Sequence, residues 1–434
     1  MRKVSLAIGG VGVATMFGMM AFTGAEPARP VTHHKIETLT FWQQWTGGSA
    51  GEGPNVTALK LMINAFEKKY PYIRVKMISA QDNSKILTAI GANTAPDVID
   101  LSSSIYLPEW ASKGALMPLN KFINKGFPTK EFVKAGWETE TLNGKIYGVP
   151  FMNFDGALEW NKAEFKAAGL NPNNPPKTLQ QLTADAARLT KVGKNGQIEQ
   201  LGFSPSGNLE TWAWLFGGGW YNAKTHQITA NSAANIRALT WDQGIFKKYG
   251  YAQVNKFLGS LGVPLTAQGP FESGKVAMTF AGVWDQAFVH TNVPKLQFGI
   301  EPFPAPLGLS QLTGTTYLDT NPQVIPSDSP NPQLAWKFIQ FETTQPQLTA
   351  QFAALVDNLA QLKTVPSTAW TKSSGYQVFQ KIAESSNAHV FPELTASTQY
   401  LNAITNAESA VEHGEKSPKA ALDRVQQAMV QALK

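Results

Sequence analysis

The feature that most restricts the fold is a repeated switch between two hydrophobic periods in the first part of the chain. ETLTFWQQW alternates from Glu37 and is rich in β-formers, so it reads as a strand that ends in the Gly-rich loop TGGSAGEG. ALKLMINAFEKKY carries apolar residues at helical spacing and is stopped by Pro71. IRVKMI is a second strand, KILTAIGAN a short helix, PDVIDL a third strand, and YLPEWASKG a helix ending at Gly114. Strands alternating with helices predict a parallel sheet of βα units, that is, an α/β fold.

The same reading continues downstream. TLQQLTADAARLT and ANIRALTWDQGIFKKY are predicted helices, KVAMTFAGV is a strand after a turn at Ser273-Gly274, and β-rich stretches lie near Leu296–Pro304 and Thr320–Pro326. The helix LAWKFIQFE follows. The chain closes with SPKAALDRVQQAMVQALK, where Ser417 is placed as N-cap and Pro418 at the first helical position.

Composition narrows the class. The 434 residues are enough for two lobes with their own cores. Charged residues make up only 16%, with 31 acids against 37 bases, and the deficit of acids points to acidic surroundings. The formal charge of +6 is scattered, with no concentrated basic face, so no nucleic-acid partner is expected. The absence of cysteine excludes disulfides, thiolate metal sites, a cysteine nucleophile and a lipid-modified cysteine. No histidine has metal-ligand spacing, so neither metal nor other cofactor is expected.

The N-terminus reads as an export signal. Arg2 and Lys3 precede an apolar run from Val4 to Phe22, then Thr23-Gly24-Ala25. Cleavage after Ala25 is one reading. The other is an uncleaved anchor, since the run approaches the roughly 20 residues that span a bilayer. Both put the body outside the cytoplasm, after a tether over 26–36.

Seven segments, in order, resemble the family 1 extracellular solute-binding proteins of ABC importers, the group that includes maltose-binding protein. They are AFEKKYPYIRVKM, NTAPDVIDL, EWASKGALMPL, LNGKIYGVPF, ALEWNKAEFKAAGLNPNNPPKTLQQL, FESGKVAMTFAGVW and PQLAWKFIQF. Each also has a plain structural role: Pro96 opens a buried strand, Asn143-Gly144 makes a hairpin turn, and Gly169 ends a helix. The resemblance implies a two-lobed, periplasmic-binding-protein-like fold with ligand in the cleft. It implies lobes of 37–152 plus 300–343 and of 153–299 plus 344–434. Chain crossings are then expected near Phe151–Asp155, Gln297–Glu301 and Glu342–Gln345. It further implies a non-catalytic, monomeric carbohydrate receptor that delivers its ligand to ABC permease subunits, either free in a periplasm or held at the cell surface.

Ligand contacts are expected just after strands, where open α/β sheets place them. Sugars offer flat C–H faces to aromatic rings and hydroxyl edges to acids and amides. Trp284 follows the strand VAMTFAGV, matches the family's Gly-x-Trp position, and has Asp285 beside it. Asp155 follows the first expected crossing, with loop capping as its alternative role. Gln44 and Trp45 end the first strand; Trp42 and Trp45 cannot face the same way at strand period. Ser102–Ser104 and Tyr106 follow PDVIDL, with helix capping as the alternative for the serines. Glu210 and Trp212 in NLETWAWLFGGGW, and Trp220 after the glycines, complete the set. On a helix Trp212 and Trp214 diverge, making one of them core. Trp160 reads as structural.

Enzyme signatures are incomplete. GPFESGKV nearly matches a phosphate-binding loop, but Val276 stands where a hydroxyl must reach Mg²⁺. GFSPSG has Ser206 where a nucleophile elbow needs Gly. Asp155, Glu210 and Asp285 leave a paired-carboxylate glycosidase as a minor alternative. The arginines past the tether (Arg74, Arg188, Arg237 and Arg424) lie outside the candidate segments, which favours a neutral sugar over a glycerol or sugar phosphate.

Overall fold

A computed structural model describes residues 35–45, 53–79, 81–123, 126–205 and 207–434. The export signal, most of the tether and most of the Gly-rich loop lie outside the described residues.

The first sheet forms where the alternating period is read. Strand β1 (Glu37–Trp42) lies parallel to β2 (Ile73–Ile78) and β3 (Val98–Asp100). The intervening helices are α1 (Pro54–Lys69) and α2 (Asn83–Gly91). Helix α1 buries Val56, Leu59, Met62, Ile63 and Phe66 at helical spacing. Asp82 caps α2 by accepting from Lys85 N–H at 2.8 Å. After β3 a single 3₁₀ turn, Ser104–Tyr106, leads into α3 (Leu107–Ser112).

The rest of this sheet comes from far along the chain. Strands β4 (Gly148–Phe154) and β5 (Gly156–Asn161) are separated only by Asp155. Helices α4 (Leu179–Leu189), α5 (Leu209–Leu215) and α6 (Ala233–Tyr249) follow, then β6 (Met278–Gly282), α7 (Asp285–Asn292) and β7 (Phe298–Glu301). Strand β8 (Asp319–Val324) precedes α8 (Pro332–Thr344), α9 (Pro346–Val356) and β9 (Leu359–Ala360). The chain ends in α10 (Ser374–Ala383), α11 (Ser397–Glu412) and α12 (Pro418–Ala432). The six-stranded sheet has the order β9-β4-β8-β3-β1-β2, and the three-stranded sheet β6-β5-β7.

The architecture is α/β and two-lobed, with each sheet beside its own large apolar core. One core gathers Leu39, Phe41, Phe66, Phe151 and Phe338; the other gathers Leu158, Trp160, Trp212, Phe303 and Tyr400. The sheets depart from the all-parallel expectation. Strand β8 runs antiparallel to both β3 and β4, and the three-stranded sheet is antiparallel throughout. The cause is connectivity: β8 enters the sheet on a return from the other sheet, so it arrives from the opposite end.

The chain passes from the six-stranded to the three-stranded sheet at Asp155 and returns between β7 and β8. Beyond the expected third crossing at Glu342–Gln345, α9 and β9 still lie beside the six-stranded sheet: Leu359 pairs with Asn153 and Phe352 packs on Phe151. Local signals held. Ser417 caps α12 by accepting from Ala420 N–H, and Asn143 and Gly144 take φ of 51° and 73° in their hairpin turn.

Candidate functional site

The carboxyl end of β3 meets the second lobe directly. Ile105, in the turn after β3, packs in the same apolar core as Trp212 and Tyr400. Around that junction the two lobes present hydroxyls and acids. Asp319, at the start of β8, accepts from the hydroxyls of Ser103 and Ser104, from Ser104 N–H at 3.0 Å and from Thr320 N–H at 2.7 Å. Glu140 accepts from Thr320 Oγ1 at 2.7 Å and Thr139 Oγ1 at 3.1 Å. Tyr317 N–H donates to Thr211 Oγ1 at 3.2 Å, joining the approach to β8 with α5, the helix that carries Glu210.

The electrostatics of this junction are unusual. Burial pushes Glu140 up to about 8, against the hydrogen bonds from Thr320 and Thr139, with Asp319 and Glu393 raising it further. Burial pushes Glu210 up to about 7. Burial, then the Glu138 charge, pushes Glu393 up to about 8. Burial pushes the Tyr317 hydroxyl up, and the Asp319 and Glu210 charges add to it. Among the described residues, no ion pair involves Glu140, Glu210, Asp319 or Glu393. The junction thus gathers carboxyls that, among the described residues, are held by hydroxyl and backbone donors rather than by ion pairs.

A second group gathers where β4 and β6 end. Trp284 is half-buried, with its ring centroid 5.5 Å from that of Phe154 at 86°. Its ring lies over Gly282, where an added Cβ would come 2.5 Å from the indole. Asp285 accepts from Gly282 N–H at 3.1 Å, and burial pushes its carboxyl up to about 7. Asp155 is buried with neither carboxylate oxygen hydrogen-bonded, and burial raises it well above the usual range. Beside this group lies a cavity of about 180 Å³ lined by Glu159, Glu272, Asp285, Thr279, Phe271 and Phe280. Another cavity, about 230 Å³, lies between α4 and α6 with an apolar lining that includes Leu182, Phe203 and Trp241. It is away from the strand ends and offers little to hydroxyls.

Gln44 and Trp45 form a third group, at the end of β1. Trp45 is half-buried against Phe151 and Phe352, at centroid distances of 6.5 and 6.2 Å. Gln44 donates its side-chain N–H to Leu101 O at 3.5 Å, beside the buried Asp100. Trp42 packs beside a different apolar cluster from Trp45, as the strand period requires.

The expected residues therefore divide. Ser104, Tyr106 and Glu210 converge at the lobe junction, although the Ser104 hydroxyl is held by Asp319. Trp284, Asp285 and Asp155 gather at the other strand ends. Trp212 and Trp220 are corrected to core: they are 0% and 1% exposed, and their indole N–H groups donate to Pro205 O at 2.9 Å and Glu210 O at 3.1 Å. The cause is that NLETWAWLF folds as helix α5, and its apolar face packs on α6. Trp160 is core, as expected, and donates to Pro172 O. Glu140, Tyr317, Asp319 and Glu393 were not singled out from sequence. Asp319 carried a usable signal, an acid opening a β-rich stretch; the other three gain meaning only from long-range contacts.

Comparisons with known proteins bear on the family and the fold. The family model for bacterial extracellular solute-binding protein matches residues 50–347. The solved structure of CpMnBP1 with mannobiose bound is 30% identical, with a TM-score of 0.78 over 90% of this chain and 98% of that one. The sugar-binding protein MalE from Xanthomonas citri is 21% identical, with a TM-score of 0.73 over 92% and 97% of the two chains. A binding protein of Brucella abortus is 26% identical over 302 residues, 68% of this chain and 69% of that protein. The sn-glycerol-3-phosphate-binding periplasmic protein UgpB of Yersinia pestis is 30% identical over 166 residues, 37% of each chain. With a family match over most of its length and a shared two-lobed architecture, the chain belongs to the bacterial extracellular solute-binding proteins.

Proposed function

We propose that this protein captures a neutral carbohydrate between its lobes and delivers it to the permease of an ABC importer. Family membership places it outside the cytoplasm, and its family and solved relatives are binding proteins. The observation that carries the ligand class is the set of carboxyls at the lobe junction and beside Trp284, whose ionisation burial holds back and which, among the described residues, form no ion pair. Protonated and hydrogen-bonded acids pair with hydroxyls, while Trp284 offers a half-exposed ring to a sugar face. The likeness to a mannobiose-bound protein over nearly all of that protein's length supports an oligosaccharide.

The lobes follow the sheets in this reading. One carries β1 to β4, β8 and β9, and the other β5 to β7 with α10 to α12. Hinge rotation at the crossings then traps the ligand. The likeness to UgpB supports glycerol phosphate as a second reading; against it, the junction carboxyls form no ion pair among the described residues. The export segment acts in this account as a cleaved signal or a retained anchor; no described helix is long and apolar enough to cross a membrane. Calorimetry against neutral mono- and oligosaccharides tests the proposal. Stoichiometric binding without turnover is expected, and hydrolysis of the bound sugar would overturn it.

A further inference from the structure

Away from the lobe junction, three buried carboxyls converge between two helices of the second lobe. Asp242 lies on α6, and Glu408 and Glu412 lie one turn apart on α11. Each offers an oxygen within 4.8 Å of the others. Like charges four residues apart on one helix already oppose each other, and burial strengthens that repulsion. Sequence gives no reason for the arrangement, since apolar residues at these sites would complete a core that contains Leu239, Ile404 and Val411.

The burial of these charges calls for an offset. Asp242 is 0% exposed, and neither of its carboxylate oxygens has a hydrogen-bond partner. Glu408 is held from outside the trio, accepting from Asn208 N–H at 3.2 Å. Burial, with the neighbouring carboxyls adding to it, pushes Asp242 and Glu408 well above the ordinary range. One oxygen from each carboxyl therefore lies within 4.8 Å of the others, around a common point.

We propose that Asp242, Glu408 and Glu412 bind a divalent cation of calcium's size, which clamps α6 to α11. Two oxygens on one such ion, each about 2.4 Å from it, lie no more than about 4.8 Å apart, a limit that each pair in the trio meets. Three carboxylates supply up to six oxygens if bidentate, which suits the flexible calcium shell better than the octahedral, water-retaining magnesium shell. A donor set of carboxylates alone, without imidazole or thiolate, disfavours zinc. Through Glu408 and Asn208 the clamp reaches the start of α5, which carries Glu210. The site does not depend on which solute the lobes take.

The test uses chelator-treated whole protein near pH 7, titrated separately with calcium chloride and magnesium chloride. Calorimetry and thermal unfolding are the readouts. One calcium per chain is expected, with a higher unfolding temperature and weaker binding of magnesium. Asp242→Asn and Glu412→Gln should each weaken calcium binding by more than about ten-fold, by loss of a ligand. If Asp242→Asn does not fold, Glu412→Gln and the wild-type titration still decide the matter. Absence of both heat and stabilisation with calcium in the wild type would overturn the proposal and assign the trio to bound protons. Equal affinity for magnesium would also overturn it.

Discussion

Gly282→Ala isolates the position of the Trp284 ring from its presence. The glycine lacks the positive φ that would exclude other residues, so alanine is compatible with its backbone. A methyl there would come 2.5 Å from the indole, and ordinary contact begins near 3.4 Å. The ring must therefore shift by about 1 Å or rotate away from Phe154, at an overpacking cost of about 1–3 kcal/mol in stability. If Trp284 stacks on the sugar, losing that alignment weakens binding by roughly 1–3 kcal/mol, about five- to 150-fold in Kd. Trp284→Ala should lose as much affinity, and it forfeits about 1 kcal/mol of stability from the Phe154 pair as well. Calorimetry with the best neutral oligosaccharide is the assay, with near-UV circular dichroism to confirm folding. Unchanged affinity in folded Gly282→Ala and Trp284→Ala proteins would refute the stacking argument.

Other consequences are separable. Trp212→Ala should cost about 3–5 kcal/mol of stability in chemical denaturation, because it empties a fully buried site, and should lose no affinity once unfolded protein is accounted for. Asp97 accepts from Thr40 N–H, Thr40 Oγ1, Asn331 N–H and Asn331 Nδ2, so Asp97→Ala should cost about 3 kcal/mol or more by leaving buried donors unpaired. Glu140, Glu393, Glu210 and Asp285 all have folded pKa values raised above their unfolded ones, to about 8, 8, 7 and 7. Their stabilising contribution is therefore complete below about pH 4 and is lost as pH rises through 7 to 8. Calorimetric unfolding should show a lower transition temperature at pH 8.5 than at pH 6; a rise would contradict the burial of these groups.

Local and global features differed in how well the sequence disclosed them. Ser417-Pro418, Asn143-Gly144 and the βα alternation act within a few residues, so their structures follow from capping, turn chemistry and hydrophobic period. The direction of β8 does not, because Asp319–Val324 pairs with strands more than 160 residues away in sequence. The place of β9 has the same origin, since Leu359–Ala360 gives no local sign that it will join β4. The strand-end rule named Trp284, Asp285, Asp155 and Trp45, and these do lie at strand ends, because their positions depend on adjacent strands. It misassigned Trp212 and Trp220, because a tryptophan that fills a core and one that meets a ligand look alike until the facing helix is known. Glu140 and Glu393 were invisible for a related reason. Their chemistry comes from desolvation at a junction built by segments over 250 residues apart.

Paired calorimetry with a neutral oligosaccharide such as mannobiose and with sn-glycerol 3-phosphate tests the central claim most directly. Each is measured at low and at high salt. The account predicts stoichiometric binding of the neutral sugar with little salt dependence, because an uncharged ligand gains nothing from long-range attraction. Tighter binding of the phosphate, weakening steeply as salt is added, would contradict it.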